Sequence, residues 1–134
     1  MMAGIRGKDT KPEMIVRRGL HARGFRYRLH SRDLPGKPDI VLPKYRAVIF
    51  VHGCFWHGHD CPAFKWPKSR EAFWRTKIER NRRRHDEVLA HLATMGWNAE
   101  TVWECELRRS ADTVRRQLDS LGSLIRSRRE LSSD

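Results

Sequence analysis

The sequence predicts an α/β fold built on a mixed sheet. Three observations carry that reading: a stretch of period-two alternation, two short apolar runs bracketing a turn, and two long segments with apolar residues at helical spacing. The order is helix, three strands, helix, strand, helix.

Thr10 followed by Glu13 is a capping box, and with Pro12 in the permissive first turn it predicts a helix over 11–23, stopped at Gly24. Phe25, Tyr27 and Leu29 then alternate with Arg26, Arg28 and His30, the pattern of a half-buried strand with one apolar and one basic face. The Pro35-Gly36 turn leads into the apolar runs 39–42 and 47–51, which read as a buried β-hairpin. Residues 52–67 break into Gly, His, Cys, Pro and aromatics, too long and too unusual for a passive connection. A helix over 70–95 follows, with Phe73, Trp74, Ile78, Val88, Leu89 and Leu92 among many charges, and it ends at Gly96. Residues 97–103 read as a strand. Ala111, Val114, Leu118, Leu121 and Ile125 define a last amphipathic helix that packs on the sheet. The opening MMAGIRGKD has no periodicity and reads as an arm over 1–9, mobile unless DNA orders it.

At 134 residues the chain is expected to be one domain spanning 1–134. Its 28 Lys and Arg against 16 Asp and Glu give a net charge of +12, which calls for a polyanionic partner. Nucleic acid is the first expectation, because each cation that neutralises a phosphate releases a condensed counterion. No apolar run approaches the roughly 18 residues of a membrane span, so neither a transmembrane helix nor a membrane partner is expected, and no secretory leader is read. A cytoplasmic location follows. Three cysteines, an odd number, argue against a disulfide framework and fit a reduced compartment with a metal site.

Two groups of residues carry the chemistry. Between Val51 and Cys61 lie two Cys and three His, and Cys105 follows the last strand. Cys54, His59, Cys61 and Cys105 would complete the four-ligand tetrahedron that zinc prefers, closed and therefore structural, with His57 or Asp60 as alternative ligands. Asp39 opens one strand of the hairpin and His52 closes the other, so an antiparallel turn brings them together; Glu13 is able to approach from the first helix. Phosphodiester cleavage needs a hard cation such as Mg²⁺ on carboxylate oxygen and a base for water. Asp39 is suited to the first task, and His57 or His52 to the second.

The stretches Lys8-Asp9-Thr10 with Pro12-Glu13, Leu34 to Asp39, Val48 to Cys61, Phe73-Trp74 and Trp103-Glu104-Cys105 together resemble the Very Short Patch repair (Vsr) endonuclease family. The resemblance implies a restriction-endonuclease-like fold, a central mixed β-sheet flanked by helices, plus the structural zinc site. It implies Asp39 as ligand to catalytic Mg²⁺, with the backbone carbonyl of Val51 as a second protein ligand. His57 would be the general base or acid, and His52 and Glu13 would support the hydrated metal. Zinc would sit on Cys54, His59, Cys61 and Cys105. The chain departs from the family pattern at Val51, where Thr is usual, and at Gly58 and Asp60, in a stretch that can be all histidine.

Phe55 and Trp56 lie between the zinc ligands, and Trp74 begins the long helix. Aromatic wedges between base steps are least costly at a mismatch, and the resemblance implies that these three flank a T:G pair; for Trp74, core packing is the alternative. Arg6 and Lys8 on the arm, Arg26 and Arg28 on the strand, and Lys77 and Arg80 on the helix are candidate phosphate contacts. The leading expectation is a Mg²⁺-dependent DNA mismatch endonuclease that nicks double-stranded DNA beside the T of a T:G pair arising from 5-methylcytosine deamination, leaving a 3′-hydroxyl and a 5′-phosphate. Other mismatch-repair proteins and a repair polymerase are further expected partners, and one nick needs only a monomer. The alternatives are a zinc-stabilised, non-catalytic DNA-binding module and a His-Asn-His type nuclease that would not need Asp39.

Overall fold

The computed structural model describes residues 10–62 and 64–132, so the arm over 1–9, with Arg6 and Lys8, lies outside the described residues. Helix α1, Lys11–Ala22, begins as the capping box requires: Thr10 is extended, and its hydroxyl accepts a hydrogen bond from the Glu13 N–H at 3.4 Å. Glu13, Val16, Gly19 and Leu20 form its buried face, at the three-and-four spacing of one helical stripe. The chain leaves through Gly24 at φ +87°, a left-handed conformation that glycine adopts without Cβ strain.

The strand expected over 25–29 pairs only at Arg28–Leu29, which is β1. Its partner β2, Ile40–Leu42, runs out at Pro43, which has no N–H to offer a ladder and opens a 3₁₀ turn, Pro43–Tyr45. The alternation survives without the pairing: Phe25 is buried, Tyr27 and Leu29 half-buried, and Arg26 and Arg28 exposed. Strand β3, Ala47–His52, returns antiparallel to β2 with Ile40 opposite Ile49 and Leu42 opposite Ala47. Helix α2, Glu71–Thr94, starts one residue late because Arg70 sits at φ +56°, outside helical space. It is the crossover that a parallel pair requires, since β4, Asn98–Trp103, lies parallel to β3 from Ala47 opposite Asn98 to His52 opposite Trp103. A second 3₁₀ turn, Glu104–Leu107, leads to α3, Ala111–Ser132, which contains the whole apolar stripe from Ala111 to Ile125.

The sheet order β1-β2-β3-β4 is mixed, as expected. Helices cover both faces, which is why β2 and β3 read as uninterrupted apolar runs. Ile40, Leu42, Ala47 and Ile49 pack with Val16 and Leu20 of α1 and Ile125 of α3. Val41, Val48 and Phe50 point the other way, against Val88, Leu89 and Leu92 of α2. No helix among the described residues is long and apolar enough to cross a membrane. The parallel pair has a further consequence: β3 and β4 both end on the same edge of the molecule.

Candidate active site and metal cluster

At that edge opens a cavity of about 580 Å³ whose walls include Glu13, Asp39, Val51, His52 and His57, with Phe55 and Trp56 beside them. Asp39 stands one residue before β2, and continuing the antiparallel register from Ile40 opposite Ile49 places it opposite Phe50, one step diagonally from Val51. The Val51 N–H donates to Asp39 Oδ2 at 2.7 Å. Burial, above all, raises the Asp39 carboxyl to about 6; the nearby Glu13 charge adds to the rise, while the Val51 N–H and His30 oppose it. Glu13, 1% exposed, arrives from the first turn of α1, and its Oε2 lies 2.7 Å from His30 Nε2 and 3.4 Å from Arg17 Nη1. Ligand atoms of Glu13, His30 and Asp39 all fall within 4.8 Å of one another, a group able to hold a cation.

The two histidines proposed from sequence meet as a stack. The His52 and His57 rings lie 3.8 Å apart and 2° from parallel. His85, on the inner face of α2, closes against His52 edge-on at 4.3 Å and hydrogen-bonds Thr101 Oγ1 through Nε2 at 3.2 Å. Burial lowers His52 to about 3 and His57 to about 4, and repulsion among the three imidazoles adds to both shifts. The stack is therefore neutral at pH 7. The Nδ1 atoms of His52 and His57 are buried with no hydrogen-bond partner, the kind of orphaned polar atom that concentrates at working sites.

Beyond the stack, Cys54, His59, Cys61 and Cys105 place one ligand atom each within 4.8 Å of all the others. Cys105 Sγ and His59 Nδ1 are 3.5 Å apart. His59 also stacks flat on Trp103 at 4.0 Å. Neither alternative ligand belongs to the group: His57 is committed to the stack, and Asp60 is exposed. Burial pushes the Cys54 thiol up to about 12, a cost to the thiolate that a bound cation would remove. The loop is held from behind by α2. Asn81 Nδ2 donates to the Trp56 carbonyl at 2.9 Å, and the Arg82 guanidinium donates to the carbonyls of His57, at 2.9 Å, and Gly58. Gly58 has φ +56°, and a Cβ there would fall 2.7 Å from Ile78 Cγ2 and from an Arg82 nitrogen, so glycine is what lets the helix close on the loop.

Phe55, Trp56 and Trp74 form one aromatic group, with Phe55 5.2 Å from Trp56 and 5.3 Å from Trp74. All three are half-buried, whereas the neighbouring Phe73 is 44% exposed. Lys77 and Arg80 line a separate hollow with Phe73. Arg26 and Arg28 are exposed near β1, at the opposite sheet edge from β4. Sequence reasoning missed His30, His85 and the loop clamps Asn81 and Arg82. For His85 and Asn81 a signal existed: with Ile78, Val88 and Leu92 they share the inward stripe of α2. Arg82 was hidden in a basic run that reads as a solvated face.

The buried imidazoles set a pH dependence for stability. An unfolded histidine titrates near 6.5, but folded His52 and His57 resist protonation down to about 3 and about 4. As pH falls below 6.5 only the unfolded state gains those protons, so the stability that is complete above 6.5 is lost on acidification. Asp39 acts oppositely, its folded carboxyl taking a proton near 6 instead of 3.8. His52→Phe keeps a flat ring without a titrating nitrogen. The Tm of wild type should fall relative to that variant between about pH 6.5 and about pH 3, and a difference that stays constant over this range would contradict the burial of His52 as a neutral ring.

Comparison with known proteins meets this geometry. The family model described as DNA mismatch endonuclease Vsr matches residues 1–63. A type II nicking enzyme, V.XorIIP of Xanthomonas oryzae pv. oryzae, is 54% identical over 107 residues, covering 80% of this chain and 79% of that protein. The DNA mismatch endonuclease Vsr of Escherichia coli is 43% identical over 107 residues, 80% of this chain and 69% of that protein. The type II nicking enzyme V.NmeAIP of Neisseria meningitidis is 47% identical over 111 residues, 83% of this chain and 79% of that protein. With the carboxylate cavity, the histidine stack and the Cys/His cluster assembled on one mixed sheet, the chain is a DNA endonuclease and belongs to the Vsr family.

Proposed function

We propose that the chain is a Mg²⁺-dependent, strand-specific endonuclease that nicks double-stranded DNA beside the T of a T:G mismatch left by 5-methylcytosine deamination, initiating very short patch repair. The observation that carries this reading is the convergence of Glu13, Asp39, Val51, His52 and His57 on one cavity, with Phe55 and Trp56 in its wall. The donor set suits a hard cation: two carboxylates lie close together, and burial, with the Glu13 charge adding to it, raises the Asp39 carboxyl, a cost to the carboxylate that a bound cation would offset. When bound, Mg²⁺ supplies charge that polarises the phosphate and stabilises the leaving oxygen.

The protein's own groups divide the remaining work. Asp39 holds the cation through its carboxylate, with the Val51 carbonyl as the second protein ligand. Val keeps that carbonyl, though any contribution from the threonine hydroxyl usual in the family is absent here. Glu13 and His52, which line the same cavity, would support the hydrated cation. His57, neutral at pH 7, is available at a ring nitrogen to take a proton from the attacking water and to return one. Cys54, His59, Cys61 and Cys105 hold structural zinc. A tetrahedral ion with sulfur at about 2.3 Å and imidazole nitrogen at about 2.0 Å separates neighbouring ligand atoms by about 3.5 Å, and Cys105 Sγ and His59 Nδ1 have that separation, 3.5 Å.

Phe55, Trp56 and Trp74 act as the wedge, held together in one cluster of which Phe55 and Trp56 line the cleavage cavity. Lys77 and Arg80 on α2, Arg26 and Arg28 near β1, and Arg6 and Lys8 on the arm contact phosphates. One cavity cuts one strand, so a monomer working in the cytoplasm suffices, handing its nick to a repair polymerase and other mismatch-repair proteins.

Two measurements test this. Nicking of a T:G duplex in Mg²⁺ by Asp39→Asn should fall by about 10²- to 10³-fold, the equivalent of several kcal/mol of charge stabilisation; undiminished activity would rule out Asp39 as the metal ligand, and wild-type inactivity on T:G, T:A and C:G duplexes alike would favour a DNA-binding role without catalysis. In the double variant Phe55→Ala, Trp56→Ala, the preference for T:G over T:A should drop by roughly tenfold or more, as stacking is worth about 1–3 kcal/mol per base, while affinity for ordinary duplex changes less. Equal losses on both duplexes would refute the wedge.

A further inference from the structure

His30 has no assigned task, yet its ring bonds one carboxylate of the cavity and lies within 4.8 Å of the other. Leu29 pairs with Ile40 across the β1–β2 ladder, so the next pair outward is His30 and Asp39, and the His30 N–H donates to the Asp39 carbonyl at 3.0 Å. There the backbone turns to φ +49°, a left-handed conformation uncommon for a residue with a Cβ. In that conformation the ring leaves the sheet and reaches α1, where Nε2 lies 2.7 Å from Glu13 Oε2. The Glu13 side chain is 2% exposed and that of His30 24%. A strained backbone that places an imidazole on a buried carboxylate inside a functional cavity asks for a functional reason.

Geometry gives the reason: a cation site needs its carboxylate oxygens held in place, and the ligand atoms of Glu13, His30 and Asp39 all lie within 4.8 Å of one another. An N–H donor on Glu13 fixes the orientation of its carboxylate. Arg17 reaches the same oxygen at 3.4 Å, a longer and weaker contact. We propose that His30 is a positioning residue of the cleavage site: it holds the Glu13 carboxylate beside Asp39 so that both face a divalent cation. This role rests on the metal-dependent reading above and adds to it a residue outside the Asp39, Val51, His52, His57 set. It acts through a hydrogen bond to Glu13, without contact to DNA.

The unusual backbone supplies a clean test, because glycine suits φ +49° better than histidine does. If His30 merely completes a turn, His30→Gly is neutral or stabilising in every assay. His30→Gln keeps an N–H donor near the position of Nε2. Binding of Mn²⁺ to the full-length, zinc-loaded protein is followed by electron paramagnetic resonance for wild type, His30→Gly, His30→Gln and Asp39→Asn, alongside the Mg²⁺ concentration for half-maximal nicking of a T:G duplex and the Tm. His30→Gly should keep or exceed the wild-type Tm yet bind Mn²⁺ roughly tenfold more weakly, with a matching rise in the Mg²⁺ requirement, and His30→Gln should recover most of both. Wild-type Mn²⁺ affinity in His30→Gly overturns the proposal. So does an equal loss in the Gly and Gln variants, or a loss accompanied by a fall in Tm. If wild type and Asp39→Asn bind Mn²⁺ equally, it is the metal centre on Asp39 that is wrong, and the role of His30 falls with it.

Discussion

The parallel pairing of β3 with β4 is the constraint from which the site follows. His52 is opposite Trp103 at the end of that ladder, and each chain then runs two residues further, to Cys54 and to Cys105. Two thiols from opposite sides of a long crossover therefore arrive side by side, and His59 and Cys61 close the group from the loop. A slip of one residue would turn every side chain of β4 to the wrong face and part the two cysteines. The antiparallel β2–β3 register does the equivalent work on the other side, setting Asp39 against the Val51 N–H.

What the cluster holds is a loop with little regular structure of its own. Residues 53–61 carry two of the three clustered aromatics, one of the stacked histidines and two of the cysteines. The backbone carbonyls of this loop are met by Asn81 and Arg82 of α2, which also supplies His85 to the stack. The loop is thus fixed at the Cys/His group, at α2 and at the ring of His52. Such a support lets aromatic side chains remain partly exposed without collapsing into the core, and keeps His57 within the same cavity as Asp39.

Much of this was legible in the sequence, and for identifiable reasons. Short-range signals translated directly: the Thr10 and Glu13 capping box, the apolar runs of the hairpin, Gly24 and Gly36 at left-handed positions, and the density of Cys and His between 54 and 61. The resemblance added which carboxylate and which aromatics to watch. What stayed hidden depends on long-range geometry. Pro43 ends a partner strand and so shortens β1, an effect invisible in the alternation of 25–29 itself. Arg82 reads as one more cation on a solvated face until the loop is folded against it. His30 looks like the polar side of a strand, and only its reversal to φ +49° directs it to Glu13. His85 lies on the inward stripe of α2, where a histidine more often serves as a satisfied core residue.

If the Cys54, His59, Cys61, Cys105 group holds the loop over Asp39, metal-cluster integrity and nicking rise and fall together. The most direct measurement is the zinc content and T:G nicking rate of wild type and Cys105→Ser, with far-UV circular dichroism to follow the sheet and helices. Wild type should carry one zinc per chain, and the variant should lose zinc with nicking reduced by about 10²-fold, the scale expected when a catalytic group is displaced by about 1 Å, while the secondary structure persists. Full nicking by a zinc-free protein, or by Cys105→Ser, would contradict that coupling.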